Sequence, residues 1–222
     1  MDYAQRYEEV LSNVENARAS SKQHQNVKII AISKSVTASE IEQMHRIGQR
    51  AFGENRVQDM SEKAHTLGHL ALEWHFVGRL QTNKINQLID LNPSLIHSLS
   101  SLELALELDK RLVVKDKKLS ALLQINSAYE AQKAGVEPEK TIEIYKEIQT
   151  RCQNIELQGV MSIGAHSEDV RLIQKSFETT YTLFEKLKPH GAKYCSMGMS
   201  GDYELAIRCG SNMLRLGSVL FH

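Results

Sequence analysis

Apolar and polar positions alternate along this chain in two rhythms. Residues 3–17 place Tyr3, Tyr7, Val10, Leu11, Val14 and Ala17 on one stripe, the spacing of an amphipathic helix. Ile29-Ile30-Ala31-Ile32 is then continuously apolar and β-branched, which predicts a strand buried on both faces. A second helix is announced by Thr37-Ala38-Ser39-Glu40, a capping-box sequence. Ile41, Met44 and Ile47 follow at helical spacing, and Gly48 stops the helix.

The alternation continues to the end. Short apolar runs lie at 51–53, 74–77, 95–97, 122–125, 157–161, 194–197 and 213–216. Helical stripes separate them: Val57, Met60, Ala64 and Leu67; Ile85, Leu88 and Ile89; Leu102, Ala105 and Leu106, capped by Ser100 and Glu103; then 141–148 and 173–187. Strict strand–helix alternation implies parallel strands joined by crossover helices. The pattern predicts an α/β fold, a single-domain (β/α)8 barrel over residues 1–222 with one extra helix in front. An open doubly wound sheet is the competitor, but no G-x-G-x-x-G turn follows the first strand.

Charge and composition narrow the partners. Lys plus Arg and Asp plus Glu number 27 each, and 41% of residues are hydrophobic. A neutral chain exerts no general pull on nucleic acid or an anionic membrane, so neither is expected as a partner. The N-terminal MDYAQRYEEV is acidic and mixed, unlike a signal peptide, and no apolar run approaches the ~20 residues of a membrane span. Cys152, Cys195 and Cys209 form no C-x-x-C pair, which suits buried thiols in a reducing compartment. The expectation is a cytoplasmic protein. No long exposed apolar stripe demands a second copy, which favours a monomer.

Candidate chemistry begins with Lys34, at the carboxyl end of the first strand. The loops at the carboxyl ends of barrel strands form the active face. Partial burial there favours a neutral, nucleophilic amine, the kind that forms Schiff bases with carbonyl compounds. Position alone favours a solvated lysine. The last two units shift that balance. Ser200-Gly201 stands between a strand and a short helix, and Gly217-Ser218 closes the eighth strand. Barrel phosphate sites use the loops after strands seven and eight, where small residues expose backbone N–H groups. Each turn alone reads as ordinary caps; together with Lys34 they point to a phosphate-bearing aldehyde. Arg215, two residues before Gly217, lies on the same strand face and can meet the same ligand. Beside a pyridine nitrogen its permanent charge keeps that nitrogen unprotonated. A rim salt bridge is the structural alternative.

AISKS at 31–35, FGENRVQD at 52–59, WHFVGRLQTNK at 74–84, IHSLSS at 96–101 and CSMGMSGDYELAIRCGSNMLRLGS at 195–218 resemble the pyridoxal phosphate homeostasis protein family, also called YggS or PROSC proteins. The resemblance implies a barrel of the alanine-racemase N-terminal-domain type, with pyridoxal 5′-phosphate on Lys34. It implies phosphate contacts at Met199, Ser200, Gly217 and Ser218, a ring-nitrogen contact from Arg215, and Asn55 near the cofactor. Two departures are a final Phe221-His222 where glycine often follows the phenylalanine, and Gly164-Ala165-His166 without a proline. The implied role is cofactor storage, buffering or delivery, with apo pyridoxal-phosphate enzymes as acceptors and no catalytic residue.

The alternative is an amino-acid racemase on the same barrel. It needs a base on each face of the substrate α-carbon, and only Lys34 is evident. In related racemases the opposing tyrosine depends on a further β-rich domain, for which the residues after the eighth strand leave no chain. No metal site is expected: His65 and His69 share helical spacing without a third ligand. His75 and His97, within strands, read as satisfied histidines of the barrel interior. Arg79 and Lys84 read as surface charges.

Overall fold

Each apolar run pairs in parallel with the next, and the last pairs with the first. In the computed structural model, which describes residues 2–222, β1 (Lys28–Ile32), β2 (Ala51–Glu54), β3 (Glu73–Phe76), β4 (Leu95–Leu99), β5 (Leu119–Ile125), β6 (Ile155–Ser162), β7 (Tyr194–Ser196) and β8 (Met213–Leu216) form a closed barrel in chain order. Closure is the parallel pairing of β1 with β8, Lys28 opposite Met213 through Ala31 opposite Leu216. The barrel predicted from the alternation is therefore the fold.

Helices α1 (Tyr3–Ala19), α2 (Ala38–Arg46), α3 (Val57–Thr66), α4 (Ile85–Leu91), α5 (Leu102–Lys115), α6 (Thr141–Arg151), α7 (Val170–Leu187), α8 (Tyr203–Arg208) and α9 (Ser218–Phe221) surround it. The extra helix in front is α1, which buries Val10, Val14 and Ala17 and lies against α8 and α9. Tyr3 and Tyr7 tie it down, donating to Glu40 at 2.7 Å and to Gln49 Oε1 at 3.1 Å. The Thr37–Glu40 capping box forms reciprocally at the start of α2.

Three details differ from the sequence reading. The cap of α5 is Ser101, not Ser100; its hydroxyl accepts from the Leu104 N–H. His69 lies beyond the end of α3 at Thr66, so the two-histidine spacing does not fall on one helix. No cluster of three or more potential metal ligands occurs among the described residues. The short α9 was not foreseen, because four residues carry no helical period.

The interior holds Ile30, Ala51, Leu95, Leu122, Met161 and Met213, one from each of six strands. Outside the sheet, larger apolar clusters fill the space between strands and helices. This two-sided burial is why the strands read as apolar runs rather than as alternating patterns. Cys152, Cys195 and Cys209 are buried free thiols, as expected. No helix among the described residues is long and apolar enough to cross a membrane.

Candidate functional site

The carboxyl ends of the strands frame a cavity of about 550 Å³. That volume falls within the ~300–1,000 Å³ usual for small-ligand sites. Lys34, Asn55, Met199, Ser200, Arg215, Gly217 and Ser218, all seven residues singled out in sequence, line it. They come from four separate strand ends, so the closure of β8 onto β1 is what brings Arg215 and Gly217 beside Lys34.

Lys34 is displaced from its expected setting. β1 ends at Ile32, and a turn closed by the Val36 N–H donating to the Ser33 carbonyl at 3.1 Å carries Lys34 outward. Its side chain is exposed rather than partly buried. The turn itself is firmly based. Ser33 donates to the fully buried Glu54 at 2.6 Å, and Lys63 from α3 reaches both Glu54, at 2.8 Å, and the Ser33 carbonyl, at 2.6 Å. A buried charge is retained only when paired and hydrogen-bonded, and this one anchors the segment that bears Lys34.

At the opposite wall, the turns after β7 and β8 converge. The N–H groups of Gly217 and Val219 donate to the Ser200 hydroxyl at 3.1 and 3.3 Å. Two backbone donors aimed at one oxygen make a cradle for an anion's oxygens. A Cβ built on Gly217 would meet nothing closer than Ile32 at 3.6 Å, and one on Gly201 nothing within 4 Å. These glycines therefore relieve no clash within the protein; they leave open space at the turn. The helix expected right after Ser200-Gly201 starts later, at Tyr203. Asp202 holds the intervening turn by accepting from the Met199 N–H at 2.6 Å, and burial raises its carboxyl above the usual range.

Asn55 reaches the cavity because β3 ends tightly against it. A Cβ on Gly78 would fall 1.9 Å from the Asn55 carbonyl oxygen, so only glycine permits that approach.

Arg215 is buried at the cavity floor, donating from Nη1 to Ser196 Oγ and from Nη2 to the Ser162 carbonyl, both at 2.8 Å. Its partners are neutral, and no carboxylate within ion-pair distance meets it among the described residues. The rim salt bridge is thus not formed. Burial lowers the guanidinium to about 10, leaving it charged at neutral pH. Two of its five N–H groups are committed, so three remain for a ligand.

Sequence reasoning missed Glu54, Lys63 and Asp202, and also Phe221 and His222, which line the cavity from α9 and beyond. Glu54 and Lys63 sit nine residues apart on a strand and a helix, a spacing that announces no contact.

Residues 6–222 match the family model of the alanine racemase N-terminal domain. A pyridoxal phosphate homeostasis protein of Helicobacter pylori is 50% identical over 221 residues, spanning 100% of this chain and 99% of the relative. The chain belongs to the pyridoxal phosphate homeostasis protein family. The family resemblance seen in its motifs and the barrel type it implied are both established. A protein from Bifidobacterium adolescentis superposes with a TM-score of 0.93 at 30% identity, covering 99% of this chain and 94% of that one. PipY of Synechococcus elongatus, solved with pyridoxal phosphate bound, gives a TM-score of 0.84 at 29% identity, with 100% of both chains covered.

Proposed function

We propose that this family member binds pyridoxal 5′-phosphate as a Schiff base on Lys34. It holds the cofactor for storage, buffering or delivery to apo-enzymes, without dedicated catalysis, and its working unit is the single barrel of residues 1–222. One observation carries this reading. A primary amine (Lys34), the small-residue turns at Ser200-Gly201 and Gly217-Ser218, and a guanidinium with free donors (Arg215) line one cavity.

The residues suit the three functional parts of the cofactor. The Gly217 and Val219 N–H groups, with the Ser200 and Ser218 hydroxyls, suit the phosphate. Arg215 suits the ring nitrogen, where a fixed positive charge disfavours protonation. Among the described residues Lys34 is the one amine lining the cavity, and Asn55 and Met199 line it as well. Bound there, the cofactor supplies an aldehyde that reacts reversibly with amines. PipY, of the same fold and length, is described with this cofactor bound.

The carrier role is favoured over racemization by what lines the cavity. No tyrosine does so among the described residues, and an arginine partner leaves the pyridine a weak electron sink.

Borohydride reduction of the purified, cofactor-loaded protein, followed by peptide mass mapping, tests the proposal. A fixed adduct is expected on the peptide containing Lys34 and should be absent in Lys34→Ala. An adduct of equal yield in that variant would falsify the assignment.

A further inference from the structure

Behind Arg215, a file of buried polar side chains crosses the barrel to its opposite mouth. Ser196 Oγ, which accepts from Arg215 Nη1, lies 3.3 Å from His97 Nδ1. His97 Nε2 lies 3.0 Å from His75 Nδ1. His75 Nε2 in turn faces a Glu73 carboxylate oxygen at 3.8 Å, and Lys28 pairs with the same carboxylate. Ser196, His75 and His97 are at most 1% exposed.

The Arg215 end fixes the direction of each hydrogen bond that follows, and the Glu73 carboxylate, 3.8 Å beyond the last ring nitrogen, adds only its field. A guanidinium only donates and an ionised carboxylate only accepts. Ser196 therefore has a proton to give, and His97 Nδ1 is the acceptor beside it. His97 then carries its proton on Nε2 and donates to His75 Nδ1. His75 likewise carries its proton on Nε2, towards Glu73. The reverse direction strands the buried serine proton without an acceptor and turns an imidazole lone pair against the carboxylate, each a substantial cost. Burial favours neutral rings at both histidines, as this arrangement requires.

We propose that His75 and His97 are positioning residues of the cofactor site: as Nε2–H tautomers they complete a one-way hydrogen-bond column, from Arg215 through Ser196 and His97 to His75, that holds the guanidinium in register with the cofactor ring. The inference rests on the reading that Arg215 meets the ring nitrogen. The Lys28–Glu73 pair lies just past the column's far end, where the carboxylate faces His75 Nε2 at 3.8 Å.

The tautomers are read directly by nitrogen-15 NMR of histidine-labelled, cofactor-free protein at neutral pH. Both rings should be neutral with protonated Nε2. An Nδ1–H tautomer or an imidazolium at either position overturns the column, whatever the protein binds. The positioning role is read by substitution. Glutamine at 97 retains an acceptor for Ser196 and a donor for His75, whereas leucine retains neither. His97→Leu should weaken pyridoxal phosphate binding more than tenfold, and His97→Gln should stay within about threefold of wild type. Competition by inorganic phosphate alone should be unchanged in both. Equal losses in the two variants, or no loss in His97→Leu, would remove the positioning role. Should His97→Leu not fold, Ser196→Ala breaks the same column at a smaller side chain, with the same expected loss of affinity. Failure of wild type to form the Lys34 adduct would overturn the binding reading, while the tautomers are assigned independently of any cofactor.

Discussion

Lys63 Nζ and Glu54 Oε1 meet 2.8 Å apart inside the protein, at the base of the turn that presents Lys34. The carboxylate is wholly buried and the ammonium nearly so. Neither side chain reaches the ligand cavity, yet both hold Ser33, the residue beside Lys34. The pair thus links the packing of α3 to the placement of Lys34.

Removing one partner should be far worse than removing both. Lys63→Met leaves Glu54 as an unpaired buried charge, for which a loss of about 3–5 kcal/mol is expected. Replacing both residues, as Lys63→Met with Glu54→Leu, should recover most of that loss, because apolar substitutes for a buried pair are often neutral. Urea denaturation of the three proteins decides it. A single variant as stable as wild type would mean that the pair does not anchor the turn.

Gly217→Ala separates folding from binding. The added methyl meets no protein atom closer than 3.6 Å, so the melting temperature should move little. Affinity for pyridoxal phosphate should fall at least tenfold if the open space is the phosphate's. Ser200→Ala should also bind more weakly: one hydrogen bond to a charged group is worth about 1.5–3 kcal/mol, roughly ten- to a hundredfold. Equilibrium dialysis against pyridoxal and its phosphate ester should show the loss only for the ester. Parallel losses for both ligands would place the phosphate elsewhere.

Acid should weaken the fold in two stages. Burial holds His97 well below its ordinary value of 6.5, assisted by His75 on the adjacent strand and by Arg215 and Lys28 across the barrel; His75, facing Glu73, Lys28 and His97, is lowered mainly by burial. The unfolded rings take up protons that the folded ones refuse. Their contribution is therefore complete above about pH 6.5 and is lost as pH falls, by up to about 1.4 kcal/mol per pH unit for each ring. Glu73 is lowered to about 2 by His75 and then Lys28, so its contribution disappears between about pH 4.5 and 2. His97→Gln should flatten the stability profile between pH 7 and 5. A slope identical to wild type in that window would show that His97 titrates normally.

The barrel was legible because each strand is buried on both faces and each helix on one, so the two periods alternate cleanly. The ligand cavity was legible because its parts are local: a lysine after Ile32, small residues at Ser200-Gly201 and Gly217-Ser218, an arginine two residues earlier. Contacts set only by closure were not legible. His75 and His97 read as strand-borne histidines, but their partnership with Ser196 and Arg215 depends on four strands meeting across the interior. Lys34 was expected to be partly buried because it stands at a strand end on the barrel's active face. The turn at Ser33–Val36 reverses that within two residues.

The last expectation concerns turnover. Inverting an amino acid requires a proton to leave one face of the α-carbon and another to arrive on the opposite face. The titratable side chains lining the cavity are Lys34, Arg215 and His222. Arg215 is charged and committed to Ser196 and Ser162, so it serves as no base. That leaves Lys34 for one face and His222 as the sole candidate for the other. His222 is exposed, on the last residue after α9, and no hydrogen bond of its ring fixes it opposite Lys34 among the described residues. With Arg215 at the ring nitrogen, as proposed, that nitrogen stays unprotonated and the ring is a weaker sink for carbanion charge. The loaded protein, incubated with L- or D-alanine in deuterated water, should show no steady α-deuterium incorporation. Incorporation with inversion near the ~1–10³ s⁻¹ of ordinary enzymes would replace the carrier reading with a racemase. His222→Ala would then abolish that turnover if His222 were its second base.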